Sequence, residues 1–344
     1  MSAPPHAVAE LLRHRAAGEA RGDDDGARLA LAIEGGGMRG AVSAGMAIAI
    51  HELGLTDAFD AIYGASAGAL NGVWLLSGSP SDGLRPYADP ALIRQYIRRS
   101  NALRGRPVVD TAHLVDHLYE HVLPLRFERV LEHRARFHPL ATDVETGRAV
   151  DLGPAIRDRA SLKLALRATT ALPLLAGPPV VIDGRRYLDA GLAESIPFHA
   201  ALAAGATHVL VLRSRRPQDD ERPSPLSRAA TGTLLRRLGE PVRRGYLERP
   251  ARLAADDALL ENHEAVLGIR PRTRRACRGW SPTQASCGLG WRQAARRRWP
   301  CCGRCWRRSS RPGRRAPRSA ASSHRRAPRP RTRSRSGHAP AATS

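Results

Sequence analysis

The stretch Leu29-Ala30-Leu31-Ala32-Ile33-Glu34-Gly35-Gly36-Gly37-Met38-Arg39-Gly40 decides how this 344-residue chain is read. Leu29–Ile33 is short, apolar and stopped by glycine, the pattern of a buried strand. Small and apolar residues then follow at helical spacing from Ala41 to Leu53. The same order recurs at once: a strand over Ala58–Tyr63, a glycine break, and a helical stretch over Ala69–Leu76. Working outward, Leu140–Val144, Val180–Ile182, Arg186–Leu188 and Val209–Leu212 read as further strands. Leu92–Arg99, Thr111–Val122, Ala160–Ala168 and Pro197–Ala204 read as helices between them. Alternating strand and helix predicts an α/β layered fold with a mostly parallel sheet.

Composition divides the chain near residue 271. Residues 1–270 hold 34 basic and all 32 acidic residues, whereas 271–344 hold 21 arginines and no acid. Of the net charge of +23, +21 therefore belongs to the tail, which does not make the whole protein a basic nucleic-acid binder. All five cysteines also lie in the tail, which excludes a disulfide-stapled fold for the first 270 residues. We expect an N-terminal helix and linker over 1–27, with Ala7, Leu11 and Leu12 on the apolar face and Asp23-Asp24-Asp25 as a solvated run. One large domain over 28–270 and an Arg/Pro/Ser-rich disordered tail over 271–344 complete the expectation. Neither a signal peptide nor a membrane-spanning segment is legible, so a cytoplasmic setting is the default. Arg, Pro, Cys, Trp and Gly without Lys, Asp or Glu is what a GC-rich gene yields when read out of frame. A frameshift near residue 271 is thus the expected origin of the tail, and a genuine basic tail for nucleic acid or anionic lipid is the competing reading. Cys302-Gly303-Arg304-Cys305 is a single C-x2-C without a second pair of the right spacing, which leaves a zinc site in the tail as the least supported alternative.

Three motifs carry chemistry. Gly35-Gly36-Gly37-Met38-Arg39-Gly40 lies between a strand and a helix, where glycine N–H groups and the helix dipole can hold an anion or an oxyanion. It lacks the Lys-Ser/Thr of a P-loop, and no acid about 20 residues on completes a dinucleotide fingerprint. Gly64-Ala65-Ser66-Ala67-Gly68 is G-x-S-x-G in the strand–turn–helix context that projects a serine Oγ from a sharp turn; the alternative is a helix start with Ser66 as N-cap. Asp189-Ala190-Gly191 follows a strand, the place of either a catalytic carboxylate or a turn former. An anion nest, an exposed serine and a strand-end carboxylate together make the parts of an acyl hydrolase.

In order and wording these motifs resemble the patatin-like phospholipase family over roughly 28–270. Gly35–Gly40 matches its glycine-rich oxyanion motif, Gly64–Gly68 its nucleophile elbow, and Asp189-Ala190-Gly191 its D-G-[GA] box with Ala190 in place of glycine. Ala141-Thr142-Asp143, Arg167–Pro173 and Asp183–Tyr187 are similar as well. The resemblance implies a three-layer α/β/α fold and a Ser66–Asp189 dyad in which Ser66 attacks an ester and Asp189 moves the proton. It also implies an oxyanion hole from the Gly35–Gly37 N–H groups, joined by the one after Ser66, with Arg39 anchoring the loop. No metal or cofactor is called for. The implied partner is a lipid or other acyl-ester substrate, with transient contact to a membrane surface; Leu172, Leu174 and Leu175 are candidates for an acyl site, and Arg98-Arg99 or Arg236-Arg237 for an anionic interface. A triad through His199 or His208 is the variant reading. A catalytically defective domain and a nucleic-acid binder acting through the tail are the alternatives of other classes.

Overall fold

The computed structural model describes residues 6–18, 25–216 and 231–271. Among these an eight-stranded sheet forms, from β1 (Leu29–Ile33), β2 (Ala61–Ala65), β3 (Arg136–Asp143), β4 (Ala149–Asp151), β5 (Val180–Ile182), β6 (Arg185–Asp189), β7 (His208–Leu212) and β8 (Val266–Ile269). The spatial order is β5-β6-β3-β2-β1-β7-β8, with β4 paired to β3. The pairs β3–β2, β2–β1, β1–β7 and β7–β8 are parallel, while β4, β5 and β6 pair antiparallel.

β1 explains the layers. Every residue of it is buried, as expected of a strand covered on both faces. Leu29, Leu31 and Ile33 point into one core with helices α1 (Ala7–Ala17), α2 (Gly40–Glu52) and α3 (Ala67–Leu76). Ala30 and Ala32 point into the other, beside Phe198 and Ala201 of α5 (Phe198–Ala203) and Leu253 and Leu260 of α6 (Glu240–Asn262). Alternation along one strand thus builds an α/β/α sandwich, the expected fold class. α4 (Arg159–Thr169) packs Ala165 and Ala168 against Ala141 of β3, in a core shared with Tyr187 of β6. No helix among the described residues is long and apolar enough to cross a membrane.

Several element boundaries differ from expectation. The second strand is not Ala58–Tyr63 but Ala61–Ala65, because Thr56–Ala58 is a 3-10 turn and Gly64 and Ala65 still pair with Pro139 and Leu140. The helix expected over Thr111–Val122 keeps α geometry only to His113 and widens into π turns over Leu114–Val122. That expected over Leu92–Arg99 spans Pro90–Tyr96, and Arg99–Arg104 is a 3-10 turn. α6 and β8 had no sequence reading; α6 carries Pro241 in its first turn and Pro250 inside it.

The acidic run near residue 24 is also corrected in part. Asp25 is bonded to the buried Arg15 (Nε–Oδ2 2.8 Å), which also reaches Asp60 at 2.7 Å and the Ala58 carbonyl at 2.8 Å. Burial disfavours the Arg15 cation, and the two carboxylates more than offset it. α1 is thereby clamped to the β1–β2 layer. Asp23, Asp24 and the whole stretch from Arg272 lie outside the described residues.

Candidate active site

β3 aligns the two halves of the site. Its Leu140 pairs with Ala65, the last residue of β2, and its next residue, Ala141, pairs with Asp189, the last residue of β6. Adjacent rungs of one strand therefore bring Ser66 and Asp189 together, although 123 positions separate them in sequence. Ser66 Oγ donates to Asp189 Oδ2 at 2.5 Å, and both residues are buried.

Ser66 sits at φ 53°, ψ −122°, a positive φ that L residues rarely adopt. Such strain persists only where the surroundings over-determine it. Here the Ser66 N–H donates to Thr169 Oγ1 at 2.9 Å, and the Ser66 carbonyl accepts from Ala69 and Leu70 as α3 begins. The Ser66 side chain makes no N-cap hydrogen bond. Gly64 and Ala65 close β2, while Ala67 and Gly68 open α3.

Asp189 is held from every side. Gly191 N–H donates to its Oδ1 at 2.8 Å, its own N–H donates to the Ala171 carbonyl at 3.0 Å, and its carbonyl accepts from Thr142 Oγ1 at 2.8 Å. Burial raises the pKa of its carboxyl; the Ser66 and Gly191 hydrogen bonds and the Arg249 charge oppose that rise. Ala190, where the family motif prefers glycine, is fully buried in the core beside Ile196 and Phe198.

The glycine loop packs directly on this turn. A side chain at Gly35 would stand 2.8 Å from the Ala65 carbonyl, and one at Gly68 would fall onto the Ile33 carbonyl and 2.8 Å from that of Glu34. Only glycine permits the two loops to meet this closely. Behind them, the fully buried Glu34 binds Arg213 (3.0 Å), Arg215 (3.2 Å) and the Ser214 N–H (2.6 Å), fixing the end of β1 to the end of β7. Asn71 of α3 donates to the Gly40 carbonyl at 2.8 Å and to Ser43 Oγ at 2.9 Å, holding the start of α2 beside the start of α3.

Gly35 corrects one expectation: its N–H donates to the Ser195 carbonyl at 3.0 Å and is not an open donor. Gly37–Arg39 forms a 3-10 turn leading into α2, and the N–H groups that open such a turn have no helical carbonyl behind them. Those of Gly36, Gly37 and Met38 carry no hydrogen bond from the described residues, and this part of the loop is not buried. Arg39 and Gly40 carry the turn into the helix.

The variant triads are not assembled. His199 Nε2 pairs with Asp256 Oδ1 at 2.8 Å, a bond that raises the pKa of the imidazole. His208 opens β7, its ring 2.9 Å from Thr207 Oγ1 and its N–H donating to the Arg28 carbonyl at 3.1 Å. Four neighbours of the site had no role in the sequence reading: Thr169, Thr142, Ser195 and Arg249. Ser195 Oγ donates to the Gly191 carbonyl at 3.1 Å and accepts from Arg249 Nε at 3.3 Å. Thr142 and Thr169 fall inside stretches already noted for their wording, but Arg249 comes from α6, which left no apolar pattern to find.

A curated relative, the uncharacterized protein YjjU of Escherichia coli (strain K12), is 27% identical over 197 residues, covering 54% of this chain and 52% of that protein. The chain thus spans about half the length of the curated relative it matches. Among solved structures, VipD from Legionella pneumophila gives a TM-score of 0.41 at 13% identity, covering 78% of this chain and 66% of that one. Human GIVD cytosolic phospholipase A2, in complex with methyl gamma-linolenyl fluorophosphonate, gives 0.35 at 18% identity, covering 67% and 46%. The sequence model of the patatin-like phospholipases matches residues 31–202, half of the chain and all three motifs. With that match the chain belongs to the patatin-like phospholipase family.

Proposed function

We propose that this protein is a serine acyl hydrolase, a carboxylic ester hydrolase acting on acyl esters of lipids through Ser66 and Asp189. The observation that carries the reading is the 2.5 Å hydrogen bond from Ser66 Oγ, on a positive-φ turn, to the buried carboxylate of Asp189. In the first half-reaction Ser66 Oγ bonds to the ester carbonyl carbon while its proton passes to Asp189 Oδ2. The oxyanion formed is held by the N–H groups of Gly36, Gly37 and Met38 with that of Ala67, at the starts of α2 and α3. When the carbon–oxygen bond to the leaving group breaks, Asp189 returns the proton to the alcohol. A water then gives a proton to Asp189 and attacks the acyl-serine; as the acyl bond breaks, the proton returns to Ser66.

Burial suits Asp189 to this work. A free aspartate, with a pKa of about 3.9, is a weak base at neutral pH, and a desolvated one is stronger. The reading does not use His199, which pairs with Asp256. A serine-directed fluorophosphonate tests it. Wild type and His199→Ala should label and turn over a short-chain ester, whereas Ser66→Ala should do neither. Equal labelling of wild type and Ser66→Ala would remove Ser66 from the reaction, and loss of turnover in His199→Ala alone would replace the dyad with a triad.

A further inference from the structure

The segment between Tyr96 and Thr111 has no part in the chemistry, yet it is closely built. Ile97 and Val109 form an antiparallel bridge, Arg98 N–H donates to the Val108 carbonyl at 2.8 Å, and Arg106 N–H to the Asn101 carbonyl at 3.0 Å. Asn101 Nδ2 closes the interior onto the Pro107 carbonyl at 2.9 Å. The loop so formed holds Leu103 outward at 92% exposure. Arg98, Arg99, Arg104 and Arg106 surround it, all exposed, and no acid occurs from Arg98 to Val109. The Asp110 carboxylate beyond is engaged in capping, accepting the His113 N–H at 2.8 Å.

This loop is joined at its base to the rim of the site. Val109 N–H donates to the Leu175 carbonyl at 2.9 Å. Leu174 and Leu175 are 49% and 45% exposed, and Leu174 takes a positive φ of 66°, an unusual conformation for a bulky residue. Three residues before Leu174 stands Ala171, whose carbonyl accepts the Asp189 N–H, so Leu174 lies within about 11 Å of Ala171 along the chain. A cleft of about 350 Å³ separates the two segments, with Pro107 and Thr111 on one wall and Ala171, Pro178 and Val181 on another.

We infer that this face is the surface by which the protein docks on an anionic lipid bilayer. The arginines meet the headgroup charge, and Leu103, Leu174 and Leu175 enter the interface. Arginines near an anionic membrane each strengthen binding by about fivefold, falling off within a Debye length. Exposed leucines set among them supply the apolar part that free anions in solution would not engage. The pair Arg236-Arg237 also has an exposed leucine near it, Leu234 at 47%, but only two arginines stand there and the exposed Glu240 follows them, whereas Arg98 to Val109 holds four arginines and no acid. The inference deepens the lipid-hydrolase reading but rests on separate residues, so the two can fail independently.

The test is sedimentation of the full-length protein with vesicles of phosphatidylcholine, with and without phosphatidylglycerol. The tail, with its 21 arginines, is present in every variant and contributes equally. Leu103→Ser should weaken binding to the anionic vesicles about tenfold, and Arg104→Glu/Arg106→Glu should do so by more. Arg236→Glu/Arg237→Glu, the same charge change elsewhere, should stay within about twofold of wild type, as should Ser66→Ala. Hydrolysis of a soluble short-chain ester should be unchanged in the loop variants and reports that they are folded. Unchanged binding in Leu103→Ser, or equal losses from the two arginine pairs, would overturn the inference. Loss of ester hydrolysis in Ser66→Ala with vesicle binding intact bears on the catalytic reading only. Wild type bound equally to neutral and anionic vesicles would also overturn it.

Discussion

Ser66 Oγ lies 2.5 Å from Asp189 Oδ2, and the serine that makes this bond is in a backbone conformation that glycine would occupy without cost. Two different burdens, strain on one side and a desolvated carboxyl on the other, therefore meet at a single hydrogen bond. Each can be measured separately.

Strain at Ser66 is isolated by comparing Ser66→Ala with Ser66→Gly. Both lose the hydroxyl, and both leave Asp189 Oδ2 without its donor. They differ in tolerance of positive φ, so the glycine variant should be more stable than the alanine variant by about 1 kcal/mol. Thermal melts of the two proteins check this; equal midpoints would mean that the turn carries no strain.

The buried carboxyl makes both activity and stability depend on pH. Because burial raises the Asp189 pKa, the acid limb of kcat/KM should lie above the value of about 3.9 for a free aspartate. Arg249 favours the ionised form, so Arg249→Gln should move that limb to higher pH. In stability the sign is reversed from the usual aspartate. A raised folded pKa favours the folded state fully below the unfolded pKa, and this is lost as pH rises through the folded pKa. Asp189→Asn should thus be more stable than wild type near pH 8, with the gain shrinking towards about pH 4. Paired denaturant titrations across that range read the effect.

Thr169 positions the nucleophile without touching its hydroxyl. In Thr169→Val the Ser66 N–H would be buried without an acceptor, at a cost of about 1–3 kcal/mol. The turn should then relax away from Asp189, lowering kcat more than it raises KM. Thr169→Ser, which restores the oxygen, should recover most of both losses.

Gly68 is where the two loops meet. A methyl group there would overlap the Ile33 carbonyl, so Gly68→Ala should cost about 3 kcal/mol and depress Tm by several degrees. An unchanged melting curve would show that the loops can separate without harm to the fold.

The sequence by itself determined the local units. Leu29–Ile33 is apolar throughout because it is covered on both faces, and its glycine stop is real because the chain must turn at once into α2. The serine turn and the strand-end aspartate were legible for the same reason: their geometry is imposed by immediate neighbours, glycines in one case and a small residue in the other. Boundaries were less legible where pairing overrode local preference, as in β2, which continues through Gly64 because β3 lies alongside.

Tertiary structure alone decided how these units act on each other. That Asp189 faces Ser66 follows from the register of β3 with both β2 and β6, and strand register is a long-range quantity that no local pattern encodes. The same holds for Gly35, read as an oxyanion donor, whose N–H is engaged by Ser195, 160 positions away. Arg15 and Glu34 belong to none of the patterns read in the sequence; folding buries both and supplies their partners from elsewhere in the chain. α6 was invisible because its charged, proline-containing sequence buries only isolated residues, and its contribution to the site, the charge of Arg249 near Asp189, exists only once the layers are stacked.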